Sequence, residues 1–107
     1  DDRIFDVVEE NASFPGGESV CMNWLRNNIR YPEKAAVKGV QGRVIVSFIV
    51  NRDGSIVDVK VVRSPDELLS NEAVRVVKLM PKWKPAKQRG KAVRMQFNLP
   101  ISFTLAG

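Results

Sequence analysis

Catalysis in a chain of 107 residues would rest on a nucleophile with its base, a metal cluster or two converging carboxylates, and the residue types needed for each can be counted. Histidine is absent, which removes the commonest general base and metal ligand together. Cys21 is the only cysteine, so neither an internal disulfide nor a thiolate cluster can form. The acids fall in surface contexts: Asp53 in a turn, Asp58 on the polar side of a strand, Glu67 at a helix start, with no spacing that converges two of them. Gly16-Gly17 matches neither the Walker nor the dinucleotide glycine spacing. The expectation is a protein without enzymatic activity, bound metal or cofactor.

What remains is backbone chemistry. Val93, Met95, Phe97, Leu99, Ile101 and Phe103 alternate with Arg94, Gln96, Asn98, Pro100 and Ser102, a strict period of two that predicts a strand. Proline cannot donate to a ladder, so Pro100 places this strand at a sheet edge with its own backbone turned outward. Arg94, Gln96, Asn98 and Ser102 share its parity and point their amides outward with it. Such an edge has two uses. Pro100 and Arg94 can blunt it against aggregation, or the leading segment 3–8 can cover it; alternatively, an extended peptide can add a strand there.

The elements that position this strand follow from spacing. Segment 3–8 reads as an optional leading strand. A break at Ser13-Phe14-Pro15-Gly16-Gly17 precedes a helix over 18–28 whose apolar face is Val20, Cys21, Trp24, Leu25 and Ile29, and this makes Cys21 a small buried hydrophobe. A short helix starts with Pro32 at its first position and ends at Gly39. Strand 43–50, apolar on both sides and therefore central, turns through Asn51-Arg52-Asp53-Gly54 into a strand over 55–63 with Val57, Val59 and Val61 facing the core. Ser64-Pro65-Asp66-Glu67 has the capping-box pattern, with proline just inside a helix that carries Leu69, Ala73, Val76, Val77 and Met80 and halts at Pro81. An extended basic connection through Gly90 leads into the last strand. The sum is one α+β domain, a three-stranded antiparallel sheet with helices packed on one face.

A net charge of +5 is unevenly spread: no acid follows Glu72, whereas eight cations do, and residues 1–72 carry nine cations against twelve acids. Such asymmetry can mark a nucleic-acid face. Single-strand binding pairs cations with exposed aromatics on which bases stack, yet Trp24, Phe48, Trp83, Phe97 and Phe103 lie at core-phase positions or beside helix ends. No nucleic-acid partner is expected. No apolar stretch approaches the roughly 20 residues of a spanning helix, and an opening at Asp1 without Met or signal reads as part of a longer protein.

From Tyr31 to Phe103 the chain resembles the TonB C-terminal domain family. The likeness is carried by Tyr31-Pro32-Glu33-Lys34-Ala35, Gly42-Arg43-Val44 with Phe48-Ile49-Val50, Asp53-Gly54, the strand end from Val59 to Ser64, and Met80-Pro81-Lys82-Trp83-Lys84-Pro85-Ala86-Lys87. Phe14-Pro15-Gly16-Gly17 resembles the lead-in of Bacteroidetes-type members. The resemblance implies residues 31–107 as the TonB-like domain, with residues 1–30 an N-terminal extension belonging to the same domain. It also implies a periplasmic location and an upstream segment anchored in the inner membrane, which would meet an ExbB/ExbD-type proton-driven complex through parts of the chain not present here. The domain itself would capture the TonB box of TonB-dependent outer-membrane receptors as an added strand, serving import of siderophores, vitamin B12 or glycans. By position, Asn28 and Arg30 and the edge residues Arg94, Gln96, Asn98 and Ser102 would contact the box. Pro100 departs from the family pattern and would limit the usable ladder to 94–98. The family also includes the C-terminal ends of BlaR-type membrane sensor peptidases, a parent that residues 1–107 leave open, as they do a strand-swapped dimer.

Overall fold

The computed structural model describes residues 2–105. Its centre is β2 (Gly42–Val50), which pairs antiparallel with β3 (Ile56–Arg63) on one side and β5 (Lys91–Phe103) on the other. Val44, Val46, Phe48 and Val50 are fully buried on one face of β2, while Ser47 and Ile49 are covered on the opposite face, as its two-sided apolar pattern requires. A short β1 (Ile4–Phe5) adds in parallel outside β5, giving the order β1-β5-β2-β3. This is the α+β class and the antiparallel core sheet that the periodicities predict.

Two differences lie in the strands. Opposite β2, strand β3 carries an extra residue at each of two register shifts, and Asp58 there has a left-handed φ of 52°. Val57 therefore pairs with Ile49 on the open face, and Ile56, opposite Val50, joins Val59 and Val61 against the core. A one-residue bulge reverses the facing of every residue beyond it. The basic connection contains β4 (Ala86–Gln88), a hairpin partner of β5 whose two-residue turn, Arg89-Gly90, has φ of 52° and 76° as a type I′ turn demands.

The helices start and stop on local chemistry. α1 (Glu18–Asn28) buries Cys21 and Leu25, but Val20 is 43% exposed, so its stripe is narrower than the apolar spacing predicts. In α2 (Glu33–Val37), Pro32 is the N-cap in extended conformation and not the first helical residue. α2 ends in a Schellman pair: Val40 N–H donates to Ala35 O and Gly39 N–H to Ala36 O, with Gly39 at φ 67°. α3 (Glu67–Lys78) is capped by Asp66, whose carboxylate accepts from Leu68 N–H at 2.7 Å, so Pro65 stands before the cap and not inside the helix. Leu69, Ala73, Val76 and Val77 of α3 are buried on the sheet.

Trp83 joins these layers. Its ring meets Phe97 at 4.9 Å, Phe48 at 5.3 Å and Phe14 at 6.0 Å, all three edge-on. The Trp83 backbone N–H donates to Gly54 O at 2.9 Å, tying the β2–β3 turn to the connection after α3. Gly54 has φ 87°, and a Cβ there would lie 2.0 Å from Trp83 O. Segment 10–13 bridges to 84–87 through Glu10 and Ser13, which carries Ala12 and Phe14 into the same core.

Candidate functional site: the outer edge of β5

The two sides of β5 differ in what they leave unpaired. Pro100 lies opposite Ile45 and has no N–H, so the ladder to β2 runs through the odd residues, Phe97 with Phe48, Leu99 with Val46 and Ile101 with Val44. The even residues turn their N–H and C=O groups away from β2. β1 occupies that outer side only at Arg94 and Met95. With the groups of Met95 turned to β2, the parallel pairing of Phe5 runs through Arg94 C=O and Gln96 N–H. Beyond it, among the described residues, no strand covers the edge. Asn98 and Ser102 present the outward N–H groups, and Pro100 between them presents only an acceptor. The expected window of 94–98 is thus corrected at its start, where the chain covers its own edge.

The six residues singled out from sequence are held in different ways. Arg94 is held by Asn51 Oδ1 at 3.0 Å and by the Asp2 carbonyl at 3.1 Å. Gln96 donates to Ser47 Oγ at 3.2 Å on the open face, and Asn98 and Ser102 carry exposed side chains on the same strand. Asn28 instead closes α1, with its Nδ2 on Trp24 O at 2.8 Å, while its carbonyl accepts from Arg75 Nη2 at 3.1 Å. Arg30 N–H donates to Glu72 Oε2 at 2.7 Å. The Asn28 carbonyl and the Arg30 backbone N–H are thereby tied to α3. Glu72, 8% exposed, is the centre of that fastening. Burial alone would raise its pKa, but the hydrogen bonds from Arg75 and Arg30 and the two positive charges outweigh it and hold the carboxyl below its ordinary value.

The sequence reading missed the wall beside the edge. Alternating with Asn28 and Arg30, the side chains of Ile29 and Tyr31 line a cleft with Ser102 and Thr104, and Met22 and Arg26 of α1 line it too. Met22, Arg26 and Ile29 recur at helical spacing, a second stripe next to the buried Cys21 and Leu25 that could have marked this face. Cys21 itself is 3% exposed, and burial, helped by Glu18, pushes its thiol up to about 11, an unreactive small hydrophobe.

Known proteins share this fold. Protein TonB of Helicobacter pylori is 34% identical over 77 residues, which is 71% of this chain and 26% of that protein. Protein TonB of Pseudomonas aeruginosa is 37% identical over 68 residues, 62% of this chain and 19% of that one. The chain thus spans about a quarter of the length of the Helicobacter relative. The solution structure of the Helicobacter pylori TonB C-terminal domain superposes with a TM-score of 0.60 at 30% identity, covering 80% of this chain and 90% of that domain. For the Pseudomonas aeruginosa domain the TM-score is 0.59 at 29% identity, with 73% and 79% covered. Residues 27–105 match the family described as the Gram-negative bacterial TonB protein C-terminal, and the chain belongs to that family.

Proposed function

We propose that this domain is the receptor-gripping end of a TonB-type energy transducer: it captures the TonB box of an outer-membrane receptor as a strand added to the outer edge of β5. The observation that carries this reading is the uncovered edge beyond Met95, whose outward groups an extended peptide would satisfy. In this reading the domain works in the periplasm. An upstream segment anchored in the inner membrane, working with an ExbB/ExbD-type complex, delivers proton-motive energy as tension on the captured strand. The domain needs no reacting group for this work, only a grip whose hydrogen bonds lie across the direction of pull. Family membership supports the transducer role, and the position of the open edge supports the mode of grip.

The test is a titration of the isotopically labelled domain with a peptide from the N-terminal segment of an outer-membrane receptor of the same organism. Binding in the micromolar range, about −8 kcal/mol at 1 μM, with amide shifts centred on Gln96 to Ser102 is expected. Shifts confined to α2 and α3, or no binding by any receptor peptide, would refute strand capture at this edge.

A further inference from the structure

The outer edge of β5 is not flat, because α1 runs beside it and leaves a groove. One part, about 330 Å³, is lined by Phe14, Cys21, Met22, Phe97 and Leu99, with Glu18 also bordering it. The next part, about 420 Å³, is lined by Arg26, Ile29, Tyr31 and Ser102. Met22 and Pro100 line both, so the two are consecutive stretches of one groove following the strand. Phe14, Cys21, Met22 and Arg26 all precede residues 27–105, so this much of the wall lies outside the family-matched segment.

We propose that α1 and Phe14 read the side chains of the captured strand, selecting an extended peptide with an apolar side chain beside Met22 and an acidic one near Arg26. The proposal rests on strand capture at β5 and adds to it the chemistry of the guest. A strand added at this edge sends alternate side chains to opposite faces, spaced about 7 Å apart along each face. Those on the helix side enter the groove; the others stand over the open face with Gln96, Asn98 and Ser102. The first stretch is walled mainly by aromatic, aliphatic and thiol groups, with Asn11, Ser13 and Asn98 also lining it, a balance that favours an apolar guest side chain, and Met22, 36% exposed, is the flexible thioether that can adjust to its shape. The charges then orient the guest. Glu18 borders the stretch beside Asn98, and Arg26 borders the stretch beside Ser102, so an acidic side chain is favoured at the Ser102 end and disfavoured at the Asn98 end.

The probe is an array of capped seven-residue peptides with each position varied in turn, bound to the wild-type domain and to Met22→Glu, Arg26→Gln and Arg26→Glu. All three substitutions fall on exposed helix positions, so thermal midpoints should stay close to wild type. The wild type should prefer apolar residues at alternate positions and an acid at one end. Met22→Glu should weaken the best apolar peptides by about tenfold or more. Arg26→Gln should lose the preference for an acid, and Arg26→Glu should replace it with a preference for a base. Peptides that still shift the Asn98 and Ser102 amides but show the same preferences on all four proteins would overturn the reading role of α1 and leave strand capture standing. An array in which nothing binds the wild type would overturn both.

Discussion

Proline placed at neighbouring positions of β5 separates the two sides of the strand. Asn98 shares the parity of Pro100, so Asn98→Pro removes an outward N–H and no bond of the β2 ladder, and its exposed side chain leaves the core intact. Stability should change by no more than about 0.5 kcal/mol, as for an ordinary surface site. A captured strand, however, loses a donor. One net hydrogen bond contributes about 1 kcal/mol and a stranded acceptor costs about 1–3 kcal/mol, so peptide affinity should fall roughly five- to a hundredfold. Leu99→Pro is the contrasting case. Leu99 N–H faces Val46, whose residue is fully buried, and the Leu99 side chain is 4% exposed. Losing that ladder bond and the packed side chain should cost at least about 3 kcal/mol, or roughly 12 °C or more in thermal midpoint for a domain of this size. Circular-dichroism melts read the first quantity and titration calorimetry with the receptor peptide reads the second. Equal losses of midpoint in the two variants, or undiminished binding by Asn98→Pro, would refute the assignment of the two sides.

Other expectations follow from packing and charge. Gly54→Ala should destabilise by about 3 kcal/mol or more, since it combines left-handed strain with a 2.0 Å approach to Trp83 O that breaks the Trp83–Gly54 hydrogen bond; red-shifted tryptophan emission and an earlier urea midpoint would report it. Trp83→Ala should cost about 3–5 kcal/mol in urea unfolding, whereas Trp83→Phe should cost clearly less, because among the described residues the Trp83 indole Nε1 is the buried side-chain nitrogen without a partner and its loss relieves a desolvated donor. The depressed pKa of Glu72 stabilises the fold above the ordinary carboxyl value of 4.5, and this contribution disappears as pH falls through the lower folded pKa. Glu72→Gln should therefore lower the midpoint at pH 7 and shrink the gap to wild type in acid; a gap that stays constant from pH 7 to pH 3 would count against it.

What could be read in advance was whatever depends on nearest neighbours or on a covalent restriction. The NRDG turn, the Asp66 region as a helix start, the Gly39 stop and the alternation of the last strand are local, and the fold follows them. The facing of Val57 was not legible, because a bulge at Asp58 is chosen by how β3 must meet both Val50 and Val46 of its partner. β4 was hidden by composition, since Lys87, Gln88 and Arg89 form no apolar run and the strand exists only through its turn and its partners in β5 and at Glu10. Asn28 and Arg30 were placed at the edge by position along the chain, which could not show that the buried Glu72 of α3 claims Arg30 N–H and orients Arg75 onto the Asn28 carbonyl.

The same division explains why the edge could be anticipated while its walls could not. Pro100 lacks a donor whatever surrounds it, so the inward and outward sets of β5 follow from one residue and the period of a strand. How much of the outward set is open depends on β1, which joins from the far end of the sequence and stops at Phe5. The groove depends on where α1 lies, and its place is set by Phe14, Cys21 and Leu25 entering a core shared with Trp83 and Phe103. Between Phe5 and Pro100 the guest meets Asn98 N–H; beyond the proline it meets Ser102 N–H. Two donors separated by an acceptor-only position require a guest that extends past Pro100, and over that span it lies against Met22 and Arg26 as well as against the strand.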